Sequence, residues 1–132
     1  MPAAVSLIEE NSLRITAHGF KVKVRLNWYR SLPLSCVEKV CLKLDGEEIA
    51  PGSIAFGINE HSYSLEDLET KTGEYWYVQD SAVLTVTHPE KVARGIEHAL
   101  EVEITLRAPY ILVGPGKFLT MPTRYSTIQV AA

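Results

Sequence analysis

Alternation of apolar and polar residues recurs along the chain and predicts short β-strands. The clearest examples cover residues 20–27 and 100–107, in which every second residue is apolar. A period of two puts those apolar side chains on one face of an extended segment, as in a half-buried strand. The same pattern, or a run of β-prone residues, predicts further strands over residues 13–17, 37–44, 54–58, 74–78, 82–87 and 126–130.

Proline and glycine separate the predicted strands. Pro33 has no N–H for a central ladder and disfavours the helical region for Leu32, so residues 28–35 are predicted to form a rigid corner. Asp45 and Gly46 tolerate positive φ and predict a tight turn after strand 37–44.

A second proline is expected to end strand 100–107. It is Pro109, and the apolar residues that follow it between positions 110 and 125 have no clean period and are interrupted by glycines and prolines. We therefore expect residues 110–125 to be irregular and covered by another part of the structure.

A single helical signal stands out. Ser64 precedes Asp67 by three residues, an acidic relative of the capping box, so one or two helical turns are predicted over residues 64–69. Eight or nine short strands with almost no helix predict an all-β fold, an antiparallel β-sandwich of immunoglobulin-like or jelly-roll type, with residues 1–132 as one domain.

Charge and composition make nucleic acid and membranes unexpected partners. The 132 residues carry 13 Lys and Arg against 16 Asp and Glu, a net charge of −3 with no run of like charge, so nucleic acid is not an expected partner. No apolar run approaches the roughly 18 residues of a membrane span, and residues 1–11 contain no basic segment, so we expect a cytoplasmic chain without membrane contact. Cys36 and Cys41 are about 16 Å apart in an extended strand, too far for a disulfide, and are expected to be reduced.

Candidate chemistry is sparse. The four histidines are isolated in predicted turns, and the sequence around Lys117 lacks the glycine spacing and the following helix of a phosphate loop. Neither cysteine has a histidine near it in sequence, so no catalytic or metal-binding residue is assigned to this chain. Apolar residues of segments 28–34 and 110–121 either pack on each other as a lid or form a protein interface.

Several segments resemble the small (β) subunit of bacterial C-glycoside deglycosidases. The most specific is the Tyr-Arg-x-x-Pro-Leu-Ser corner that starts at Tyr29, followed by Asp-Gly-Glu from Asp45. The resemblance also covers residues 25–28, 37–44, 48–49, 54–56 and 63–70, Trp76, residues 106–107 and Tyr110. Residues 1–12 and the segment after Val113 match nothing in the resemblance, which leaves the role of residues 113–125 open.

The resemblance implies a partner and a reaction. In that family a β-sandwich subunit associates with a larger (alpha) subunit resembling a TIM-barrel sugar-phosphate isomerase, in a higher hetero-oligomer. The larger subunit holds a divalent metal, taken as manganese, and the acid and base groups, whereas no cofactor is expected in the small chain. The pair cleaves the carbon–carbon bond between a 3-oxo-sugar and an aromatic aglycone, with flavonoid-type C-glycosides as the substrate class.

The resemblance also assigns a role to the apolar corner. We expect an interface with the larger subunit that involves Trp28, Tyr29, Arg30, Leu32, Leu34 and Tyr110. The alternative is a free-standing carbohydrate- or protein-binding module, in which aromatic side chains stack on sugar rings. The side chains that would form such a platform are Trp28, Tyr75, Trp76 and Tyr77.

Overall fold

The structure, a computed structural model, describes residues 8–26, 31–77, 80–87 and 95–132. The strands found there are β1 (Arg14–Thr16), β2 (Gly19–Arg25), β3 (Leu32–Pro33), β4 (Val37–Leu44), β5 (Glu47–Glu48), β6 (Ile54–Ile58), β7 (His61–Ser64), β8 (Tyr75–Trp76), β9 (Ser81–Thr87), β10 (Glu97–Gly114) and β11 (Lys117–Val130). Three 3₁₀ turns lie between them, at Leu34–Cys36, Pro51–Ser53 and Glu66–Thr70.

The strands form antiparallel sheets, as the alternation predicted. A five-stranded sheet has the order β1-β2-β9-β6-β7, and a four-stranded sheet has the order β11-β10-β4-β5. A two-stranded sheet, β3-β8, joins the corner after β2 to the segment before β9. Apolar side chains from all three sheets belong to one hydrophobic core cluster, so the prediction of an all-β antiparallel sandwich is confirmed.

The strand predicted over residues 20–27 illustrates why the sandwich forms. In β2, Phe20, Val22 and Val24 are buried and the charged residues between them are exposed. One face of the strand therefore joins the core, while the other face keeps its lysines and arginine in water.

Two predicted local features are confirmed. Asp45 and Gly46 form the turn between β4 and β5 with φ values of 51° and 83°. The helical signal appears as the 3₁₀ turn Glu66–Thr70, and the Asp67 backbone N–H donates a hydrogen bond of 3.3 Å to the Ser64 hydroxyl.

The expectation of an irregular segment after Pro109 is wrong. Strand β10 continues through Pro109 to Gly114, and β11 returns along it to form one long hairpin. Pairing between β10 and β4 ends where Leu106 lies opposite Val37, and the register against β11 shifts just after Ala108. Pro109 therefore lies at an irregularity beyond the reach of β4, where its missing N–H removes no bond to that strand.

The second proline of this segment is tolerated for a different reason. Pro122 lies opposite Thr105 on β11, the outer strand of the four-stranded sheet. Prolines are accepted on such edges because one side of the strand has no neighbour to bond.

Buried Gln129 near the end of β11 joins this strand to residues 9–13. Its amide oxygen accepts hydrogen bonds from the backbone N–H groups of Ser12, at 3.1 Å, and Leu13, at 3.0 Å. Its amide nitrogen donates to the carbonyl oxygen of Glu9 at 2.7 Å. The sequence pattern gave no sign of this role, since a glutamine in a strand looks the same whether it is solvated or bonded internally.

Candidate functional site

The apolar corner is only partly available to a partner. Trp28, Tyr29 and Arg30 lie outside the residues that the structure describes. Leu32 and Leu34 are buried within the chain's own core, so the expectation that these two side chains contact the larger subunit is corrected. The reason is the backbone after Pro33, where the 3₁₀ turn Leu34–Cys36 begins at once and buries all three of its residues.

The two-stranded sheet holds Leu32 in the core. Leu32 lies opposite Trp76, which is also buried and contacts the ring of Phe56 edge to face, with ring centroids 5.3 Å apart. The indole N–H of Trp76 donates a hydrogen bond of 2.9 Å to the Asp80 carbonyl. Burial therefore removes Trp76 from the proposed sugar-stacking platform.

Two other aromatic residues of that platform remain at the surface. Tyr75 and Tyr77 are exposed, and their rings stack on each other with centroids 6.2 Å apart. Each ring thus already covers part of the other's face, which reduces the area left for a sugar ring.

A polar cluster beside these tyrosines was not predicted. The Glu74 carboxylate accepts hydrogen bonds from the Tyr63 hydroxyl and from Asn59 Nδ2, and it lies 3.2 Å from His61 Nδ1. The hydrogen bond from Tyr63 is the main cause that lowers the pKa of Glu74, and the same bond raises the pKa of Tyr63. Asn59 also donates to the Tyr75 carbonyl at 2.9 Å.

This cluster braces a strained turn. Asn59 and Glu60 have φ values of 51° and 66°, in the left-handed region that non-glycine residues seldom adopt. The hydrogen bonds of Glu74 engage both of its carboxylate oxygens, so the cluster stabilises the β6–β7 turn.

A cleft of about 700 Å³ lies beside the start of β4. Arg107 is one of the residues that line it, and its guanidinium pairs with Glu38 at 3.0 Å and donates to the Ser35 carbonyl at 3.2 Å. Burial is the main cause that raises the pKa of the neighbouring Cys36 thiol, which keeps this thiol protonated and poorly nucleophilic. The carboxylates that line the cleft are those of Glu38, Glu48, Glu66 and Glu69.

The outer face of the four-stranded sheet carries a ladder of ion pairs. Glu101 lies 3.6 Å from Lys43 on one side and 3.8 Å from Arg124 on the other. Arg124 also pairs with Glu103 at 3.0 Å. Such exposed pairs contribute little to stability but keep the middle of this face hydrated.

The end of the long hairpin has the opposite character. We define the ribbon as residues 109–120, and its single charged residue is Lys117. Leu112 is 64% exposed and lies opposite Phe118, which is 38% exposed, and the neighbouring Val113 is 62% exposed. Tyr110, the remaining predicted interface residue, is 42% exposed at the start of the ribbon.

The sequence did contain a signal for this ribbon. Gly114, Pro115 and Gly116 separate two β-prone runs, an arrangement typical of a hairpin. The prediction of an irregular apolar segment on either side of them missed the two strands of this hairpin.

Within residues 8–26, 31–77, 80–87 and 95–132, no three His, Cys, Asp or Glu side chains are grouped so that they could hold a metal ion. The same part of the chain has no helix with the length and apolar character needed to cross a bilayer.

Comparison with known proteins gives a consistent family. A family model described as the C-glycoside deglycosidase beta subunit matches residues 5–110. A C-glycoside deglycosidase beta subunit from Arthrobacter globiformis is 37% identical over 126 residues, covering 95% of each chain. A beta subunit of the same name from Microbacterium trichothecenolyticum is 35% identical over 113 residues, covering 86% of this chain and 85% of the relative. A 3'-dehydrocarminate deglycosidase beta subunit from Microbacterium sp. is 32% identical over 115 residues, covering 87% of this chain and 85% of the relative.

Proposed function

This chain belongs to the C-glycoside deglycosidase beta subunit family, and from that membership we propose that it is the small, non-catalytic subunit of an enzyme that cleaves carbon–carbon glycosidic bonds. As a beta subunit it is part of a heteromeric complex with another subunit. We propose that this other subunit is a larger TIM-barrel (alpha) chain, and that the pair assembles into a higher hetero-oligomer.

The engagement of this chain's own polar groups supports a non-catalytic role. Glu74 is held by Tyr63 and Asn59, Arg107 is paired with Glu38, and Asp45 is bonded to His98. These side chains brace turns and strand ends of the sandwich. A catalytic acid or base needs a substrate proton within hydrogen-bond reach, and each of these groups is bonded to the protein instead.

The proposed reaction is an elimination in the larger subunit. A ketone at C3 of the sugar acidifies the C2 proton, so a base can remove it and leave the electron pair as an enolate. Collapse of the enolate forms the C1–C2 double bond and breaks the bond to the aglycone carbon, which takes up a proton from an acid. A divalent ion such as manganese, when bound in the larger subunit, would stabilise the enolate charge.

The substrate class is proposed from the relatives. The Microbacterium sp. relative is named for 3'-dehydrocarminate, which supports a 3-oxo-sugar substrate. We extend this to flavonoid-type C-glycosides of 3-oxo-glucose. The free thiols Cys36 and Cys41 support a reducing compartment, and we propose a cytoplasmic location.

Reconstitution tests this function. The chain and the proposed larger subunit are purified separately, and each is incubated with a 3-oxo-C-glucoside and manganese, alone and together. We expect aglycone release only from the mixture, and loss of that activity with a chelator. Release by this chain alone, or by the larger chain at an unchanged rate without it, would contradict the proposed role.

A binding module is the second candidate, and the exposure of two neighbouring aromatic side chains, Tyr75 and Tyr77, is the observation in its favour. Such a module binds glycans as a single chain. Calorimetry of the isolated chain with gluco-oligosaccharides distinguishes the two candidate functions. We expect no heat of binding from a deglycosidase subunit. Saturable binding that Tyr75→Ala and Tyr77→Ala abolish would support the binding module.

A further inference from the structure

The ribbon extends past the strand that supports the rest of its hairpin. Strand β4 pairs with β10 only up to Leu106, so among the described residues the ribbon strands have only each other as strand partners. An isolated two-stranded hairpin is marginally stable in water, and a third element is normally needed to hold it. The ribbon is thus the part of the sandwich that most needs further support.

The exposed apolar residues of the ribbon form one cluster. Leu112 and Phe118 lie directly opposite each other, and Val113 is the extra residue at the register shift beside them. Their exposed fractions leave an apolar patch of roughly 300 Å² at the end of the hairpin, within the range of the largest apolar patch on a typical monomer, and such patches are often functional.

A second copy of this chain is a poor candidate for the partner that covers the ribbon. Two ribbons meeting across a two-fold axis would bury roughly 300 Å² on each chain, well under the roughly 800 Å² per partner of a stable interface. The 700 Å³ cleft beside β4 is a concave site that could receive such a ribbon from a second copy, and four glutamates line it. Glu38 is paired with Arg107 there, but an apolar ribbon inserted into the cleft would desolvate the four carboxylates without adding a partner for any of them.

A larger partner with an apolar groove fits the same features. A groove can cover the side-chain cluster and both backbone edges of the ribbon, which adds area that a flat contact does not. Membership of the beta-subunit family implies a complex with another subunit, and the larger subunit proposed above is the partner to which such a groove would belong.

We propose that the ribbon, residues 109–120, inserts into an apolar groove of the larger subunit, with Leu112, Val113 and Phe118 as its anchors. This inference rests on the proposed function, because it locates the interface of that heteromer. It moves the expected contact from Leu32 and Leu34, which are buried, to the tip of the hairpin.

The chain offers a matched control at the other end of the hairpin. Ile128 is 65% exposed, against 64% for Leu112, and lies opposite Ala99 on the outer face of the sheet. The two side chains are separated by roughly 40 Å along β10, given about 3.3 Å per residue. Leu112→Ser and Ile128→Ser therefore remove similar aliphatic side chains of nearly equal exposure from different sites.

A competition experiment tests the inference. Wild-type chain and one variant, carrying different tags, are co-expressed with a limiting amount of the proposed larger subunit. The amount of larger subunit captured by each tag is then measured by intact mass spectrometry. We expect Leu112→Ser and Phe118→Ser each to reduce capture of the larger subunit about tenfold or more, because burying a Leu or Phe side chain at an interface typically strengthens binding by at least that factor. We expect Ile128→Ser to change capture less than about twofold.

Each outcome decides a different statement. Equal capture by wild type, Leu112→Ser and Phe118→Ser overturns the ribbon interface while leaving the subunit role intact. No larger chain captured by wild type overturns the subunit role and the interface together. A dimer of the isolated chain that Leu112→Ser converts to monomer assigns the ribbon to a second copy and overturns the inference. Circular dichroism spectra and melting temperatures matching wild type confirm that the variants fold.

Discussion

The imidazole nitrogen Nδ1 of His98 lies 2.7 Å from the carboxylate oxygen Oδ2 of Asp45, which joins the start of β10 to the turn after β4. The other carboxylate oxygen of Asp45 accepts a hydrogen bond of 2.8 Å from the Ala99 backbone N–H. Asp45 also needs a positive φ, so one residue fixes both the turn and the strand entry.

This contact predicts a dependence of stability on pH. The His98 hydrogen bond, with a smaller contribution from Ala99, lowers the pKa of Asp45 in the folded chain. A lowered pKa adds stability at pH values above the unfolded value of about 3.9, and that stability is lost as pH falls through the folded pKa.

Asp45→Asn tests this dependence, because asparagine keeps the turn geometry and the acceptor for Ala99 without the charge. Asp45 is half exposed, so after solvent screening we expect a loss of less than about 1 kcal/mol near pH 7. Urea unfolding at several pH values should show the difference from wild type shrinking below about pH 4. A difference that stays constant down to pH 2 would argue against the assignment.

Gln129 is predicted to be a major determinant of stability. Gln129→Leu leaves the buried N–H groups of Ser12 and Leu13 without their acceptor, which should cost about 2–4 kcal/mol. Urea unfolding measures the loss, and hydrogen exchange should show faster exchange at those two amides. Ser126→Ala on the exposed face of the same strand is the control, with an expected change within about 0.5 kcal/mol. A similar small change for Gln129→Leu would contradict this role.

Substitutions of two leucines should differ in their effect on the stability of the isolated chain, because one side chain is buried in the core and the other is exposed on the ribbon. Leu32→Ala opens a cavity against Trp76 and should destabilise the isolated chain by about 2–5 kcal/mol. Leu112→Ala removes an exposed side chain and should change stability by less than about 0.5 kcal/mol. Thermal unfolding of the isolated variants checks both values. Equal destabilisation by the two changes would mean that Leu112 is packed within the chain rather than available to a partner.

The two thiols should differ in reactivity. Cys36 is buried and its pKa is raised by burial, whereas Cys41 is partly exposed. At about pH 8 iodoacetamide should alkylate Cys41 at least about tenfold faster than Cys36, since the thiolate is the reacting form. Peptide mass spectrometry follows each site, and denaturant should equalise the rates. Faster labelling of Cys36 in the folded chain would indicate an accessible, activated thiol.

The regular strands could be predicted from sequence because one physical rule determines them. In β2 and β4 a single buried face imposes alternation, and Asp45 and Gly46 give the turn its backbone freedom. The fold class follows from several such strands with turns between them.

The candidate site was harder to predict because burial of individual side chains depends on tertiary packing. Leu32 and Leu34 look like exposed apolar residues beside Pro33, but the β3–β8 pairing places Leu32 in the core and the 3₁₀ turn that follows buries Leu34. Pro109 suggests the end of a strand, although at an irregularity without a β4 neighbour it costs no ladder bond to that strand. Neither the β3–β8 pairing nor the position of Pro109 beyond β4 can be deduced from the neighbouring residues in the sequence.

The central claim is that this chain is a subunit of a heteromeric enzyme, and the mass of its native complex tests that claim most directly. The tagged chain is co-expressed with the genes beside its own, purified through the tag, and weighed by native mass spectrometry. We predict a stoichiometric complex with a larger chain that carries a divalent metal. A single chain of 14.7 kDa, with no partner under the same conditions, would contradict the claim.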